Sequence, residues 1–104
     1  MDKLAALNEI LQLDPNNAFA RYGLAMEHVA LGDPEAALAE FAACIARNPD
    51  YVPAYQMSAQ TLVTLNRTDE ALARLHEGIA VANRTGNQHA LAEMEAMRED
   101  LLTR

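Results

Sequence analysis

The sequence predicts an all-α fold, built as a stack of antiparallel helix pairs with about six helices. The first observation is an internal repeat: the pattern of residues 18–51 returns 34 positions later, which places Leu31 on Leu65 and Ala37 on Ala71. The second is composition, because 51% of residues are hydrophobic but only 5% are aromatic, a balance that suits close-packed helices rather than a sheet. A repeat of this length made of helical segments is typical of stacked helical repeats.

The first helix is predicted over residues 2–13. Leu4, Leu7 and Leu11 recur at helical spacing there, so the segment has one apolar face and one polar face. Pro15 ends it, because proline cannot continue the helical hydrogen bonds and disfavours helical geometry in the residue before it.

The second and third helices are predicted as an antiparallel pair over roughly 18–31 and 34–47. Asn17 is a suitable cap for the second helix. Gly32, Asp33 and Pro34 supply a left-handed turn, a capping side chain and a first helical residue, in that order. The inward face of the second helix is expected to hold Leu24, Ala25, His28 and Leu31. That of the third is expected to hold Ala37, Leu38, Phe41, Cys44 and Ile45.

The fourth and fifth helices repeat this arrangement. The fourth is predicted from Pro53 to about Leu65, with Asn66 in the place of the turn glycine. Thr68 or Asp69 is expected to cap the fifth helix, which ends near residue 84. Its inward face is predicted to hold Ala71, Leu72, Leu75, Gly78 and Ile79.

A last helix is predicted over about 88–103, after the stop and cap supplied by Thr85, Gly86 and Asn87. Its apolar side carries Leu91, Met94, Met97 and Leu101. The carboxylates Glu93, Glu95, Glu99 and Asp100 have no glycine loop to fold them around a cation, so they are interpreted as a solvated helix face.

The repeated positions resemble the tetratricopeptide repeat (TPR), which asks for small residues at close helix contacts, large ones between pairs and proline at the end. The first unit offers Leu24-Ala25, His28, Gly32, Ala37, Phe41, Cys44 and Pro49. The second offers Tyr55, Ser58-Ala59, Leu62, Asn66, Ala71, Leu75, Gly78 and Asn83. Arg21, His28 and Ser58 depart from the family pattern in residue type.

The resemblance implies a right-handed stack in a single domain, 1–104. Its parts are an N-terminal half-repeat helix at 1–13, full repeats at 18–51 and 52–85, and a C-terminal capping helix at 87–104. It also implies that the first helix of each unit lines a concave groove that binds a peptide or helix of a partner protein, in a scaffold or adaptor role. The groove positions would be Phe19, Tyr22, Met26, Val29, Gln56, Met57, Gln60, Val63 and Thr64.

These nine positions include no Lys or Arg, so the family's basic clamp for an acidic carboxylate is not expected. A groove with methionine and tyrosine suits an apolar stretch or an amphipathic helix, although such residues also serve packing. Self-association is the alternative. The half-repeat lacks the helix that would cover Leu7 and Ile10, and an uncovered apolar strip is either an interface or a liability, so a homodimer that buries this end is the alternative hypothesis.

Other functions find little support. The net charge is −7 and the basic residues are scattered, which argues against nucleic acid and membrane surfaces as partners. Cys44 is the only cysteine and falls at a small buried position, His28 is expected in the core, and no catalytic, cofactor or metal motif appears. We therefore expect no enzyme activity, no cofactor and no metal site. A single cysteine and the lack of a signal peptide favour a cytoplasmic protein.

Overall fold

Six α-helices make up the fold in a computed structural model that describes residues 2–104; Met1, which the predicted first segment includes, lies outside the described residues. The helices are α1 (Lys3–Leu13), α2 (Ala18–Ala30), α3 (Pro34–Arg47), α4 (Val52–Thr64), α5 (Thr68–Thr85) and α6 (Gln88–Leu102). The all-α prediction and the number of helices are confirmed, and each boundary lies within about one residue of the predicted one.

Short turns with left-handed backbone geometry follow α2, α4 and α5. Gly32 and Gly86 have φ values of 78° and 75°, and Asn66 takes the same geometry with φ 59°. In the first of these turns the amide of Asp33 donates to the carbonyl of His28 at 2.9 Å, which satisfies a carbonyl at the end of α2. The prediction that Asn66 replaces the turn glycine is confirmed.

The predicted caps at Asn17, Asp33 and Asn87 are confirmed, since each side chain accepts from a backbone amide in the first turn of its helix. The cap predicted for the fifth helix was wrong. Arg67, rather than Thr68 or Asp69, occupies the cap position of α5 and has no side-chain bond to the helix backbone. The 34-residue register explains this, because it puts Arg67 where Asp33 stands in the first turn.

Consecutive helices pack side by side and antiparallel. The Cys44 thiol near the end of α3 approaches the Ala18 carbonyl at the start of α2 at 3.6 Å. Similarly, the Arg84 guanidinium near the end of α5 donates to Asp50 just before α4 at 2.7 Å. These contacts join the end of one helix to the beginning of its partner, as an antiparallel pair requires.

The stack curves with α2, α4 and α6 on its inner side. Besides the sequential pairs, α2 contacts α4 and α4 contacts α6, whereas within residues 2–104 no close backbone approach joins α1 to α3 or α3 to α5. Inner helices that touch and outer helices that do not are the geometry of a curved solenoid.

The core forms three clusters, and in α2 it differs from the prediction. Leu24 and Ala25 are buried as expected, but Leu31 is 60% exposed and His28 is only half-buried. Leu31 is the C-cap of α2, outside its last helical turn, so it does not continue the buried stripe. The interpretations of Leu31 as inward-facing and of His28 as a core residue were therefore wrong.

Arg21 departs from the family pattern in residue type, but it makes the same hydrogen bond to a proline carbonyl that Tyr55 makes at the equivalent position of the next repeat. The Arg21 guanidinium donates to the Pro15 carbonyl at 3.2 Å, and the Tyr55 hydroxyl, one repeat later, donates to the Pro49 carbonyl at 2.6 Å. Arg21 also lies 3.4 Å from the Glu40 carboxylate, which ties α2 to α3. The position thus keeps its structural role although the residue type has changed.

Candidate protein-binding groove

The inner helices α2, α4 and α6 form a groove whose centre is a cavity of about 320 Å³. Tyr22 of α2, Gln56 and Met57 of α4, and Ala90 of α6 line it. A second cavity of about 610 Å³ continues the inner surface towards α1, where Phe19 and Met26 form part of the wall. Five of the nine predicted groove residues therefore lie along one inner surface of the stack.

The predicted groove residues differ in how far they are open to a partner. Phe19 is 75% exposed, Val29, Gln60 and Thr64 are also exposed, and the other five are half-buried. An exposed phenylalanine on an inner helix offers a large apolar contact area that the chain itself does not use.

Tyr22 has a packing role besides its place in the groove. Its ring centroid lies 6.0 Å from that of Phe41 and 5.7 Å from that of Tyr51, both in tilted arrangements that favour aromatic pairs. Burial, reinforced by the neighbouring Tyr51, raises the pKa of the Tyr22 hydroxyl, which therefore stays neutral at physiological pH. Replacing Tyr22 would disturb the core as well as the groove, so it is a poor residue with which to test binding alone.

Helix α6 contributes groove residues that the sequence reasoning assigned to a capping helix. Asn87, His89 and Ala90 line the central cavity, and the Gln56 amide donates to the Glu93 carboxylate at 3.1 Å. The repeat register could not locate them, because α5 runs a turn longer than α3 and α6 begins two residues later than an unbroken 34-residue repeat would place it.

Two carboxylates of the inner surface already have partners within the chain. Glu27 lies 3.9 Å from the Lys3 ammonium, and Glu93 contacts His89 in addition to Gln56. No Lys or Arg is among the nine predicted groove residues. The nine predicted positions therefore offer no charged hydrogen-bond donor to a carboxylate, and Lys3, which lines the second cavity, lies near Glu27.

The residues predicted for self-association lie on α1. Ile10 is 43% exposed, whereas Leu7 is half-buried and packs against the α1–α2 cluster. A Cβ atom built on Gly23 would lie 3.3 Å from a Leu7 methyl group, so Leu7 sits over the inner face of α2. The predicted strip is thus divided between one open and one partly covered side chain.

Cys44 and the histidines are the side chains that the sequence offers as candidates for chemistry. Cys44 is fully buried, and burial raises the pKa of its thiol, which keeps it in the poorly nucleophilic form. His76 and His89 are exposed. No cluster of three or more metal-ligating side chains occurs within residues 2–104. None of the helices in this part of the chain combines the length and the apolar character needed to cross a membrane.

Comparison with known proteins identifies the repeat. The tetratricopeptide repeat family model matches residues 28–94. The chain is 35% identical to a tetratricopeptide repeat domain protein from Salinibacter ruber, over 85% of this chain and 89% of that one, with a TM-score of 0.80. A comparison with curated proteins found no match.

Two more distant structures share the fold. One is PcrH in complex with the chaperone binding region of PopD, with a TM-score of 0.89 and 20% sequence identity. The match covers 97% of this chain and 77% of the PcrH chain. The TPR2B domain of yeast Sti1, in complex with pHsp70, has a TM-score of 0.88 at 19% identity, with 96% and 80% covered. The repeat register, the curved stack of helix pairs and these matches together show that the chain belongs to the tetratricopeptide repeat family.

Proposed function

We propose that the chain is a protein-interaction module that binds an apolar or amphipathic segment of a partner protein in the groove of α2, α4 and α6. The observation that carries the proposal is the exposed Phe19 on the same inner surface as the half-buried Met26 and Met57, at groove positions that include no Lys or Arg. Methionine adapts its shape to an apolar ligand, and an exposed aromatic ring is a typical anchor of a protein interface. The proposal includes that the protein acts as a scaffold or adaptor in the cytoplasm.

The shared fold supports the proposal. PcrH has a similar fold, and its structure contains the chaperone binding region of PopD. The Sti1 domain was determined as a complex as well. The partner of the present chain would differ in chemistry from an acidic carboxylate ligand, because the predicted groove residues offer no cationic donor.

A random peptide library displayed on phage and selected on the chain tests the groove. We expect selected peptides to be rich in apolar residues and to lose about tenfold in affinity with Phe19→Ala, a loss typical of an interface anchor. Fluorescence anisotropy with each labelled peptide would measure the change. His76→Ala, an exposed change on the outer helix α5, is the matched control. Peptides that respond to His76→Ala and not to Phe19→Ala would place binding on the convex face.

Self-association through Leu7 and Ile10 remains a second candidate, favoured by the exposure of Ile10. If it occurs, the chain sediments as a dimer at micromolar concentration, and Ile10→Asp converts it to a monomer because an unpaired charge would be buried at the interface. Sedimentation velocity measures both. A wild-type chain that stays monomeric throughout the concentration series removes this candidate.

A further inference from the structure

We propose that α1 and α2 form a seat for one amphipathic helix of a partner protein, at the N-terminal end of the stack. The seat is the cavity of about 610 Å³ whose walls include Ala6 and Leu7 on one side and Gly23 and Met26 on the other. The seat shares Phe19 and Met26 with the proposed groove and goes beyond it by adding α1, which is not one of the groove helices.

The end of the stack is where the chain leaves large apolar side chains open. Among the described residues, Leu102 is the one exposed large hydrophobic residue outside α1, α2 and their caps; the others are Ile10, Leu13, Phe19, Val29 and Leu31. Ala6 and Ile10 are one turn apart and share a face of α1. No helix among residues 2–104 covers that face.

The internal repeat indicates what fits there. By the 34-residue register, Ala6 and Ile10 of α1 correspond to Glu40 and Cys44 of α3. Likewise, Gly23 of α2 corresponds to Met57 of α4. The walls built by α3 and α4 hold a helix, which is α2 itself. The equivalent walls built by α1 and α2 are therefore shaped for one more helix. That helix would pack against α1 and α2 in the way that α2 packs against α3 and α4, and it would run antiparallel to α1.

The residues on the face that α2 presents to α3 and α4 indicate which residue pattern the partner helix should have. Ala25 is fully buried there, and Ala18 and Tyr22 pack against the same cluster. These three residues follow a small, large, small order at helical spacing. The partner helix would present a similar stripe to α1 and α2.

At two positions the residue in the α1–α2 walls differs from its equivalent in the α3–α4 walls, so the helix that fits the seat should differ from α2. Ala6 stands where Glu40 stands in α3, so the α1 wall offers no carboxylate at the place where Arg21 finds one, and the Glu27 carboxylate that also lines the seat lies 3.9 Å from the Lys3 ammonium. Gly23 stands where Met57 stands in α4, which leaves room for a larger side chain. The partner helix would therefore carry an apolar residue at the position of Arg21.

A second copy of the chain does not offer this helix while it stays folded. The matching face of its α2 is already buried, with Ala25 fully inaccessible. Its exposed helical strip at this end is that of α1, with Ile10 and Leu13. A dimer that pairs two such strips is a different occupant, and the experiment distinguishes it.

The probe is a labelled synthetic peptide of residues 17–31 carrying Arg21→Leu, titrated with the full 104-residue chain and followed by fluorescence anisotropy. We expect saturable one-to-one binding that weakens by about tenfold or more when Gly23→Leu fills the seat or when Ile10→Asp charges its edge. The unmodified 17–31 peptide should bind more weakly, because its arginine would lie against Ala6, where α3 supplies the Glu40 carboxylate, and Glu27 of the seat already pairs with Lys3. Leu102→Ala, exposed at the other end of the chain, should leave the affinity unchanged.

Three outcomes of this experiment would contradict the proposal. Absence of saturable binding to the wild-type chain overturns the seat, and so does equal affinity for the wild type and both seat variants. A wild-type chain that sediments as a dimer broken by Ile10→Asp assigns the same face to a second copy. Because Ile10 is already 43% exposed, Ile10→Asp is expected to fold, and it tests the seat independently of Gly23→Leu. Phe19 and Met26 line both the seat and the groove, so the two are distinguished by Ile10→Asp and Gly23→Leu, which lie outside the nine predicted groove positions and should leave the affinity of groove-selected peptides unchanged.

Discussion

Phe41→Ala is expected to lower the free energy of unfolding by about 3–5 kcal/mol, the largest single-residue effect in the chain. Phe41 is fully buried where the first repeat meets the second, in a cluster with Ala25, Ala37 and Ala54. Small alanine neighbours on rigid helices cannot move in to fill the space, so the substitution loses the apolar contacts and leaves a cavity. Natural domains have only about 5–15 kcal/mol in total, so a large part of the fold's stability depends on this ring.

Phe19→Ala is the matched control, because the chain contains only these two phenylalanines. Phe19 is 75% exposed, so its removal should change the unfolding free energy by no more than about 0.5 kcal/mol. Urea titration followed by far-UV circular dichroism measures both variants. Similar losses for the two would mean that Phe19 packs into the fold and is not available as a partner anchor. The pair thus separates a residue that holds the repeats together from one that we propose contacts a partner.

Most of the fold could be predicted because the repeat depends on residue patterns that are local in the sequence. The 34-residue register, the caps at Asn17 and Asp33, and the left-handed Asn66 each depend on residue type at a local position, and the structure agrees with all of them. The cap of α5 was predicted wrongly because Thr68 and Asp69 have good capping chemistry, while the register sets the helix start one residue earlier.

The site was harder to predict because it depends on how far each side chain is covered by other helices. The nine groove positions came from the family resemblance, which does not distinguish the open Phe19 from Tyr22, held between Phe41 and Tyr51. The part played by α6 was missed because the longer α5 shifts the register. A pattern along the chain indicates which face of a helix is apolar, but not how much of that face a neighbouring helix leaves open.

Gly78→Leu is expected to destabilise the chain by about 3 kcal/mol, at the upper end of the range for overpacking. A Cβ atom at Gly78 would lie 2.7 Å from both the Met94 sulfur and the Tyr55 Cβ. Met94 could turn aside, but the Tyr55 Cβ is fixed to the backbone of α4, so the helices α4 and α5 would have to separate. The gain of about 1 kcal/mol from replacing a mid-helix glycine is too small to offset this.

Gly23→Leu provides the contrasting case in α2. There the nearest atoms to an added Cβ are the two Leu7 methyl groups, at 3.3 and 3.6 Å, and the rest of the new side chain would extend into the open seat. We expect this variant to be as stable as the wild type or to gain up to about 1 kcal/mol from helix propensity. Thermal and urea unfolding of the two variants measure the difference. If Gly23→Leu were as damaging as Gly78→Leu, the inner face of α2 would be closely packed, and a partner helix could not lie there.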